Sequence, residues 1–433
     1  MKKKSLLTIV LGAILIAAMV SGCAAPAAPG DAGNSSSGEE TIELTFAIGG
    51  GPGEIAGYNR LIDEFEALNP GVTIELLERP GQGFRDQIVA ELAAGEAPDL
   101  IKVGFIGDFA FYASAGGTVD LSPYLEEGFA DDFFPAAWAI ATYEGKPYGV
   151  PMVSDTHALF YNTDYIEQAG IQVPQTMDEC WSWEEFNEMS RLAMENSDAD
   201  YGHAALWNAK RWMLFLYSNG GQVLTDDLSA SAINSEATIE TVNWMKSWYD
   251  EGLAPGSTSM KASEQADQLF INGTIAFFIS GSWHMPALRD QMTTMGWDVT
   301  YLPCTPNGQD ADLGGNGLAV TKDSKHPEIA AEFIKFATST DNMREYAASA
   351  FFNPVRKSAT EGLEYPEFNK QMLLFSEVAA TVDPHHAAVQ GLPIFPQIAT
   401  IMADELDLAF VGGQDAETTV QNMDEKINAV LAQ

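Results

Sequence analysis

The first segment whose residue types and spacing could do chemistry is a glycine-rich turn at residues 51–56. It reads Gly51-Pro52-Gly53-Glu54-Ile55-Ala56, follows a strand pattern and opens a helix pattern. Glycines at this spacing can cradle a dinucleotide at a helix N-terminus, but Pro52 removes a backbone donor from the turn. We therefore expect no nucleotide cofactor. The segment predicts a ligand-facing loop at the carboxyl edge of a parallel sheet, with Glu54 at its rim.

Motifs of hydrolases and metalloenzymes are missing from the sequence. There is no G-x-S-x-G elbow and no H-E-x-x-H, and the six histidines are scattered apart from His385-His386. Adjacent histidines point to different faces of an element, so this pair predicts a solvated polar turn after Pro384 rather than a metal site. With 61 acidic residues, some carboxylate pair will resemble a glycosidase site. The sequence alone thus leaves a glycoside hydrolase open.

Cys23 stands where a lipid could be attached. Lys2, Lys3 and Lys4 precede an apolar run at residues 6–20 that is short for a membrane span, and small Ser21 and Gly22 follow. The pattern resembles a bacterial lipoprotein signal, in which Cys23 is acylated and becomes the new N-terminus. The alternative is an ordinary secretory signal. We expect a signal peptide at 1–22, a flexible tether at 23–40, and anchoring on the outer face of the cytoplasmic membrane.

The charge of the chain excludes nucleic acid as a partner. The net charge is −39, and because residues 1–22 carry three lysines and no acid, the remainder carries −42. Binding to DNA or RNA needs clustered Lys and Arg, and no such cluster follows residue 22. The composition, with 46% hydrophobic residues, predicts a folded body. A neutral or cationic ligand suits this charge better than an anionic one.

The other two cysteines, Cys180 and Cys304, leave two possibilities. They could form one disulfide in an oxidising exterior, or they could remain two half-buried thiols. Their separation in the sequence does not decide between these.

Hydrophobic periodicity predicts alternating strands and helices in the first part of the chain. Strands at 42–48, 72–77 and 99–103 alternate with helices ending near 68 and 95, which is typical of a parallel sheet with crossover helices. After residue 151 the pattern becomes more helical. Strands are predicted at 157–161, 274–279, 297–302 and 316–321, and helices at 182–195, 211–219, 235–251, 263–272, 326–338 and 340–350. The last 70 residues look mostly helical.

Several ordered segments resemble the extracellular solute-binding proteins of ABC importers, in the sugar-binding branch that includes maltose-binding protein. The likeness spans nearly all of residues 41–433. Its segments are 65–70 (FEALNP), 92–99 (LAAGEAPD), 145–151 (GKPYGVP), 159–162 (LFYN), 270–277 (FINGTIAF), 281–283 (GSW), 314–320 (GGNGLAV) and 324–333 (SKHPEIAAEF). The resemblance implies an α/β fold of two hinge-linked lobes, of the type II periplasmic-binding-protein kind, with a ligand cleft between them. It places lobe 1 at 41–150 plus about 303–345, and lobe 2 at 151–302 plus about 346–433.

The same resemblance implies roles for individual residues. Trp283 matches the family's stacking tryptophan, with a core tryptophan as the alternative. Asp155 lies where the family often places an acid just after the hinge, and a carboxylate there can accept two sugar hydroxyls. Asp108 resembles a first-lobe acid, or else caps the helix at 109–115. Gly315 and Asn316 would meet a pyranose edge, or Asn316 is a turn residue.

Weaker candidates and one departure complete the implied site. Trp207 and Phe352 are aromatic candidates for which core packing is the alternative, and Arg356 would bind a phosphate if the ligand carries one. Met402 stands where maltose-binding protein has a stacking tryptophan. Maltodextrin is therefore a poor prediction for the ligand of this chain. A smaller or different sugar, or a polyol, fits as well.

The resulting prediction is a monomeric, lipid-anchored receptor that binds a sugar or polyol without covalent chemistry. It would hand this ligand to the transmembrane subunits of an ABC permease, and it would contact the membrane through the lipid on Cys23. An exported glycoside hydrolase and a surface carbohydrate receptor without transport are the alternatives. The sequence suggests neither a metal nor any cofactor.

Overall fold

A computed structural model describes residues 41–432 apart from 82, 105–106, 206–207, 262–264 and 313. The expected lipid site at Cys23, the tether and Trp207 therefore lie outside the described residues. Within the described ranges, no helix is both long and apolar enough to cross a membrane.

The strands form two main sheets and one small hairpin. Their bounds are β1 (Ile42–Gly49), β2 (Val72–Arg79), β3 (Leu100–Val103), β4 (Thr142–Tyr143), β5 (Lys146–Pro147), β6 (Val150–Ser154), β7 (His157–Asn162), β8 (Tyr201–Ala205), β9 (Ile275–Gly281), β10 (Trp297–Thr300), β11 (Asn316–Val320) and β12 (Asn353–Pro354).

The helices follow the predicted pattern closely, and the last part of the chain is mostly helical as expected. Their bounds are α1 (Pro52–Leu68), α2 (Phe84–Ala94), α3 (Asp108–Ser114), α4 (Pro135–Ile140), α5 (Thr163–Gln168), α6 (Trp183–Asn196), α7 (Ala209–Ser218), α8 (Glu236–Asp250), α9 (Ala266–Ile271), α10 (Met285–Gln291), α11 (Pro327–Ala337), α12 (Thr340–Ala350), α13 (Lys357–Thr360), α14 (Asn369–Ala379), α15 (Pro384–Gln390), α16 (Phe395–Phe410) and α17 (Ala416–Leu431). A 3₁₀ turn, Ser282–His284, joins β9 to α10.

The first sheet is mixed, which the alternating pattern did not predict. Its strand order is β12-β6-β11-β3-β1-β2. The strands β1, β2 and β3 are parallel as expected, but β11 and β6 run antiparallel to their neighbours. Strand β11 belongs to the chain segment that returns from the second sheet, and β6 comes directly before the first crossing to that sheet. Their direction therefore depends on these connections and not on a local crossover helix.

The second sheet has the order β10-β7-β9-β8 and its own hydrophobic core. Trp212, Phe215, Trp248 and Phe277 belong to the cluster on one of its faces. A separate cluster containing Phe46 and Tyr58 packs on the first sheet. Two sheets with separate cores give the two-lobed α/β fold that we expected, although the bounds given above for each lobe stay a prediction.

Two connections join the sheets near one place. Asp155 and Thr156 link β6 of the first sheet directly to β7 of the second, and residues 301–315 run back from β10 to β11. The amide of Gly314 donates to the carbonyl oxygen of Asp155 at 3.0 Å. The two connections therefore meet at Asp155.

Cys180 and Cys304 form a disulfide, which decides the alternative that the sequence left open. Their Cα atoms are 5.9 Å apart, and the amide of Cys304 donates to the carbonyl oxygen of Trp181 at 2.8 Å. The bond ties the start of α6 to the connection that follows β10.

Candidate functional site

The two glycines before β11 give the carboxylate of Asp155 its position. A Cβ atom on Gly314 would collide with Oδ1 of Asp155, so this carboxylate lies directly against the glycine. Gly315 has φ +123°, and a Cβ there would collide with the carbonyl oxygen of Val153. Only glycine combines this backbone with so close an approach. Gly315, which the sequence suggested as a ligand contact, thus lies beside Asp155.

The Asp155 carboxyl group is half-buried and accepts no hydrogen bond from another described residue. Burial raises its pKa to about 7, Lys210 opposes this, and the nearby carboxylates of Asp312 and Glu54 raise it further. A carboxyl group with unused acceptor capacity at the junction of two sheets is suited to binding the hydroxyl groups of a ligand.

Glu54 belongs to a buried network at the edge of the first sheet. It is the third residue of α1, and its Oε2 accepts from the amide of Gly51 at 3.0 Å. Its Oε1 pairs with the ammonium of Lys102 and accepts from Nδ2 of Asn316 at 3.1 Å. The other end of that amide, Oδ1, accepts from the hydroxyl of Tyr58 at 2.9 Å. Asn316 is a buried residue of β11 and not a turn asparagine.

Asp108 lies at the start of α3, on the same side of the first sheet. The N-cap of this helix is Gly107, so the interpretation of Asp108 as the cap is wrong. Its Oδ1 is 3.7 Å from a guanidinium nitrogen of Arg85. Burial raises the pKa of Asp108 to about 6, against the attraction of Arg85 and of Lys210. Because Lys210 lies on α7, its effect on this pKa shows that Asp108 is close enough to the helices of the second sheet to interact with their charges.

Asp312 joins the second connection to the second sheet. Its Oδ1 accepts from Nδ1 of His157 at 2.7 Å, and its Oδ2 is 3.5 Å from the ammonium of Lys210. Burial raises the pKa of Asp312, but His157 and Lys210 outweigh it and hold that pKa well below its usual range. Burial also lowers the pKa of His157 despite Asp312. A neutral His157 with its proton on Nδ1 leaves Nε2 as a buried acceptor, which has no partner within the described part of the chain.

Trp283 forms the aromatic wall of this junction. A Cβ on Gly281 would collide with the indole ring, so the ring lies over the glycine backbone. The ring of His157 meets the indole edge to face, with centroids 5.1 Å apart. The guanidinium carbon of Arg211 lies 5.3 Å from the ring centroid. Trp283 is only partly buried and also packs against the core of the first lobe, so it lies between the two lobes.

The charges around this junction are balanced, unlike those of the whole chain. Four acids face four cations: Glu54, Asp108, Asp155 and Asp312, with Arg85, Lys102, Lys210 and Arg211. A site with balanced charge and many polar groups is suited to an uncharged, hydrogen-bonding ligand.

Two of the sequence candidates lie away from this cluster. Phe352 is buried in the hydrophobic cluster that packs on the first sheet, where its ring is parallel to that of Tyr346. Arg356 donates from Nε to the carbonyl oxygen of Thr338 at 2.5 Å, and its guanidinium lies over the rings of Phe129 and Phe133. Met402 is fully buried in the core of the second lobe.

Sequence reasoning missed Lys102, His157, Lys210, Arg211 and Asp312. One of them carried a local signal, because Lys102 interrupts the apolar strand Leu100–Val103. A lysine in a buried strand needs a partner. The others had no such signal, since their partners are distant in sequence.

The histidine pair at 385–386 is not a solvated turn, which corrects the expectation from the sequence. Both residues lie in α15. His386 is fully buried, with Nδ1 2.5 Å from Oδ2 of Asp310. Nδ1 of His385 is 3.0 Å from the hydroxyl of Tyr217. Among the described residues, no group of three or more His, Cys, Asp or Glu side chains could hold a metal ion.

Comparison with known proteins gives a family match over most of the chain. The family described as "Bacterial extracellular solute-binding protein" matches residues 50–344. The arabinooligosaccharide-binding protein of Bacillus subtilis is 26% identical over 86% of this chain and 84% of its own length. The maltooligosaccharide ABC transporter solute-binding lipoprotein of Streptococcus pneumoniae is 24% identical over 98% of this chain and 97% of its own.

A solved structure shares the fold. The GacH receptor of Streptomyces glaucescens, described both unliganded and with acarbose, superimposes with a TM-score of 0.78 at 22% identity. The match covers 91% of this chain and 99% of that one. The relatives are binding proteins rather than enzymes.

Proposed function

Because the chain belongs to the bacterial extracellular solute-binding protein family, we propose that it binds an uncharged carbohydrate between its two lobes and delivers it to an ABC permease. The observation that carries this proposal is the set of polar groups around Asp155. This residue lies in the connection between the two sheets, with balanced charges around it and Trp283 beside it. The names of the two relatives support a sugar as the ligand.

The chemistry of these side chains suits a sugar. The carboxylate of Asp155 and Nε2 of His157 can accept hydrogen bonds from hydroxyl groups. The indole of Trp283 can pack against the apolar face of a pyranose ring. Because Glu54 and Asn316 already hold each other, they present a fixed polar edge and lose little rotamer entropy on binding.

Binding would be coupled to closure of the lobes. By the predicted lobe bounds, Glu54, Asp108 and Asn316 belong to the first lobe, whereas Trp283 and Lys210 belong to the second. A ligand that contacts both sets gains all its contacts only when the lobes are close, so it shifts the population toward the closed form. The permease would then recognise the closed shape. We propose that the protein has no catalytic activity of its own.

The anchor is a further part of the proposal. Acylation of Cys23 would hold the body at the outer face of the cytoplasmic membrane, as a monomer beside the permease. The Streptococcus relative is named a lipoprotein, which supports this. Cys23→Ala should move the protein from the membrane fraction to the soluble fraction. A wild-type protein whose Cys23 lacks the mass of a lipid would overturn the anchor and leave the sugar proposal untouched.

A thermal-shift screen tests the binding function. The panel contains mono- and disaccharides, polyols, malto- and arabino-oligosaccharides, and glycerol phosphates. A ligand that binds only the native protein must raise its melting temperature. A carbohydrate that does so, and is recovered chemically unchanged after long incubation, supports a receptor. No shift with any carbohydrate, or release of a product from one, contradicts the proposal.

A further inference from the structure

Beside Asp155, at the edge of the first sheet, lies a small cavity that is partly open to solvent. Besides Pro151 in β6, six of its lining side chains are apolar: Val103, Phe109, Ala137, Ile140, Val153 and Val355. They come from the ends of β3 and β6, from α3 and α4, and from the chain after β12. The cavity is thus a built feature of the carboxyl edge of β3, where ligands of open α/β sheets bind.

Both polar side chains among the described lining residues already have a hydrogen-bond partner outside the cavity. Asn316 uses Nδ2 on Glu54 and Oδ1 on Tyr58. Oγ of Ser154 is 3.5 Å from the carbonyl oxygen of Asn353. The amide of Gly314, also in the wall, donates to the carbonyl oxygen of Asp155. A buried water or hydroxyl normally needs two to four polar partners. The described residues of its wall offer few, so they favour an apolar occupant.

The cavity also adjoins the groups that would hold a sugar. Gly314 forms part of its wall, and the carboxylate of Asp155 lies against that same glycine. An occupant of the cavity would therefore be attached to a ligand whose hydroxyl groups reach Asp155. The occupant has to be small, because Val153 and Gly315 at the wall are fixed by strand pairing and by the connection.

We propose that the cavity is a specificity subsite for a methyl-sized apolar substituent on the bound carbohydrate, the simplest case being the methyl group of a 6-deoxyhexose. This inference rests on the proposed function. The methyl group gains from leaving water, whereas a hydroxyl group in the same place would lose hydrogen bonds that the cavity cannot replace. The subsite thus selects a methyl group over a hydroxyl group because it offers the hydroxyl too few hydrogen-bond partners.

Matched sugar pairs measure this preference by calorimetry. The pairs are D-fucose with D-galactose, L-rhamnose with L-mannose, and 6-deoxy-D-glucose with D-glucose. Each sugar is measured as the free monosaccharide and as the reducing-end residue of a disaccharide with glucose. We expect the 6-deoxy member of at least one pair to bind about 10-fold tighter. If carbohydrates bind but no 6-deoxy member has an advantage, the subsite is wrong and the sugar receptor stands. If no carbohydrate binds, the proposed function itself fails.

Cavity-filling variants locate the preference. Ala137→Leu should remove the advantage of the 6-deoxy sugar, because the added side chain takes its place. Ala136→Leu, on the exposed face of the same short helix, is the matched control and should keep it. The melting temperature without sugar reports whether each variant folds. If Ala137→Leu does not fold, Val355→Leu is the second variant that fills the cavity. A preference that survives filling contradicts the assignment.

A ligand-independent experiment uses xenon. Crystals of the wild-type protein under xenon pressure should show the gas in this cavity, since dry apolar cavities take up xenon. Electron density for a water molecule held there by two or more hydrogen bonds, with no xenon, would overturn the proposal even if both leucine variants were unstable.

Discussion

The guanidinium of Arg211 lies over the indole ring of Trp283, with its carbon 5.3 Å from the ring centroid. Cation–π contacts of this kind stabilise a pair by about 0.5 to 2 kcal/mol, depending on solvent exposure. A sugar that stacks on the same face must replace the guanidinium. The measured affinity would therefore be the difference between two contacts on one aromatic ring.

Replacement of Trp283 tests this aromatic wall. Trp283→Ala should weaken sugar binding by about 1 to 3 kcal/mol, as expected for the loss of an aromatic anchor. The measurement is calorimetric titration with the carbohydrate found in the screen. The control is Trp183→Ala, because Trp183 stacks on Trp244 in the second lobe, with centroids 4.1 Å apart, and lies outside the cluster around Asp155. Equal affinities of the two variants would remove Trp283 from the site.

Asp155 should make stability depend on pH. Its pKa in the folded protein is about 7, above the ordinary value of 3.8, so the folded state holds the proton more tightly. Ionisation therefore costs stability progressively from about pH 4 to pH 7, and the cost is constant above pH 7. The melting temperature of the wild type relative to Asp155→Asn should fall across this range.

The control for Asp155 is an acid whose pKa is shifted the other way. Hydrogen bonds from Ser229 and Thr225 lower the pKa of the exposed Asp227 to about 2. The difference between the wild type and Asp227→Asn should stay constant from about pH 5 to pH 8. A wild-type curve parallel to that of Asp155→Asn would show that Asp155 is not buried beside other acids.

Loss of the Asp312 carboxylate should destabilise the fold strongly. Asp312→Ala removes the partner of Nδ1 of His157 and one partner of Lys210, both of which are buried. Removal of one member of a buried ion pair costs about 3 to 5 kcal/mol. Urea unfolding gives this free energy. Asp290→Ala, which breaks an exposed pair with Arg289, should change little, and a similar small effect for both variants would contradict the buried pair.

The close approach at Gly315 predicts a steric effect. Gly315→Ala places a Cβ against the carbonyl oxygen of Val153 at φ +123°, so it should lower the melting temperature and weaken ligand binding. Gly413 also has positive φ, but a Cβ there meets no atom within 4 Å. Gly413→Ala therefore measures backbone strain alone. The site interpretation requires that only Gly315→Ala weakens binding.

The disulfide should contribute to stability. It joins residues 124 positions apart, and closing a long loop stabilises a protein by about 2 to 4 kcal/mol by restricting the unfolded chain. The double variant Cys180→Ser, Cys304→Ser should unfold at lower urea concentration than the wild type. Added reductant should lower the urea midpoint of the wild type and leave that of the double variant unchanged. Identical midpoints with and without reductant would mean that the thiols do not pair in solution.

The sequence predicted those parts of the fold that depend on local patterns. Tyr58, Leu61, Ile62 and Phe65 recur at helical spacing, and they belong to the buried face of α1. The family resemblance carried the two-lobed fold and pointed to Asp155 and Trp283. Both kinds of signal reside in short segments, because the buried face of a helix and the shape of a turn are set by neighbouring residues.

The partners of the site residues were decided only by the tertiary structure. His157 and Asp312 are 155 positions apart, and Glu54 and Asn316 are 262 apart. In a single sequence, nothing near a histidine in a strand or an aspartate in a loop indicates that the two side chains will pair. Their pairing depends on how the two connections between the sheets pass at Gly314, and that arrangement results from packing of both lobes and from the need of buried charges for partners.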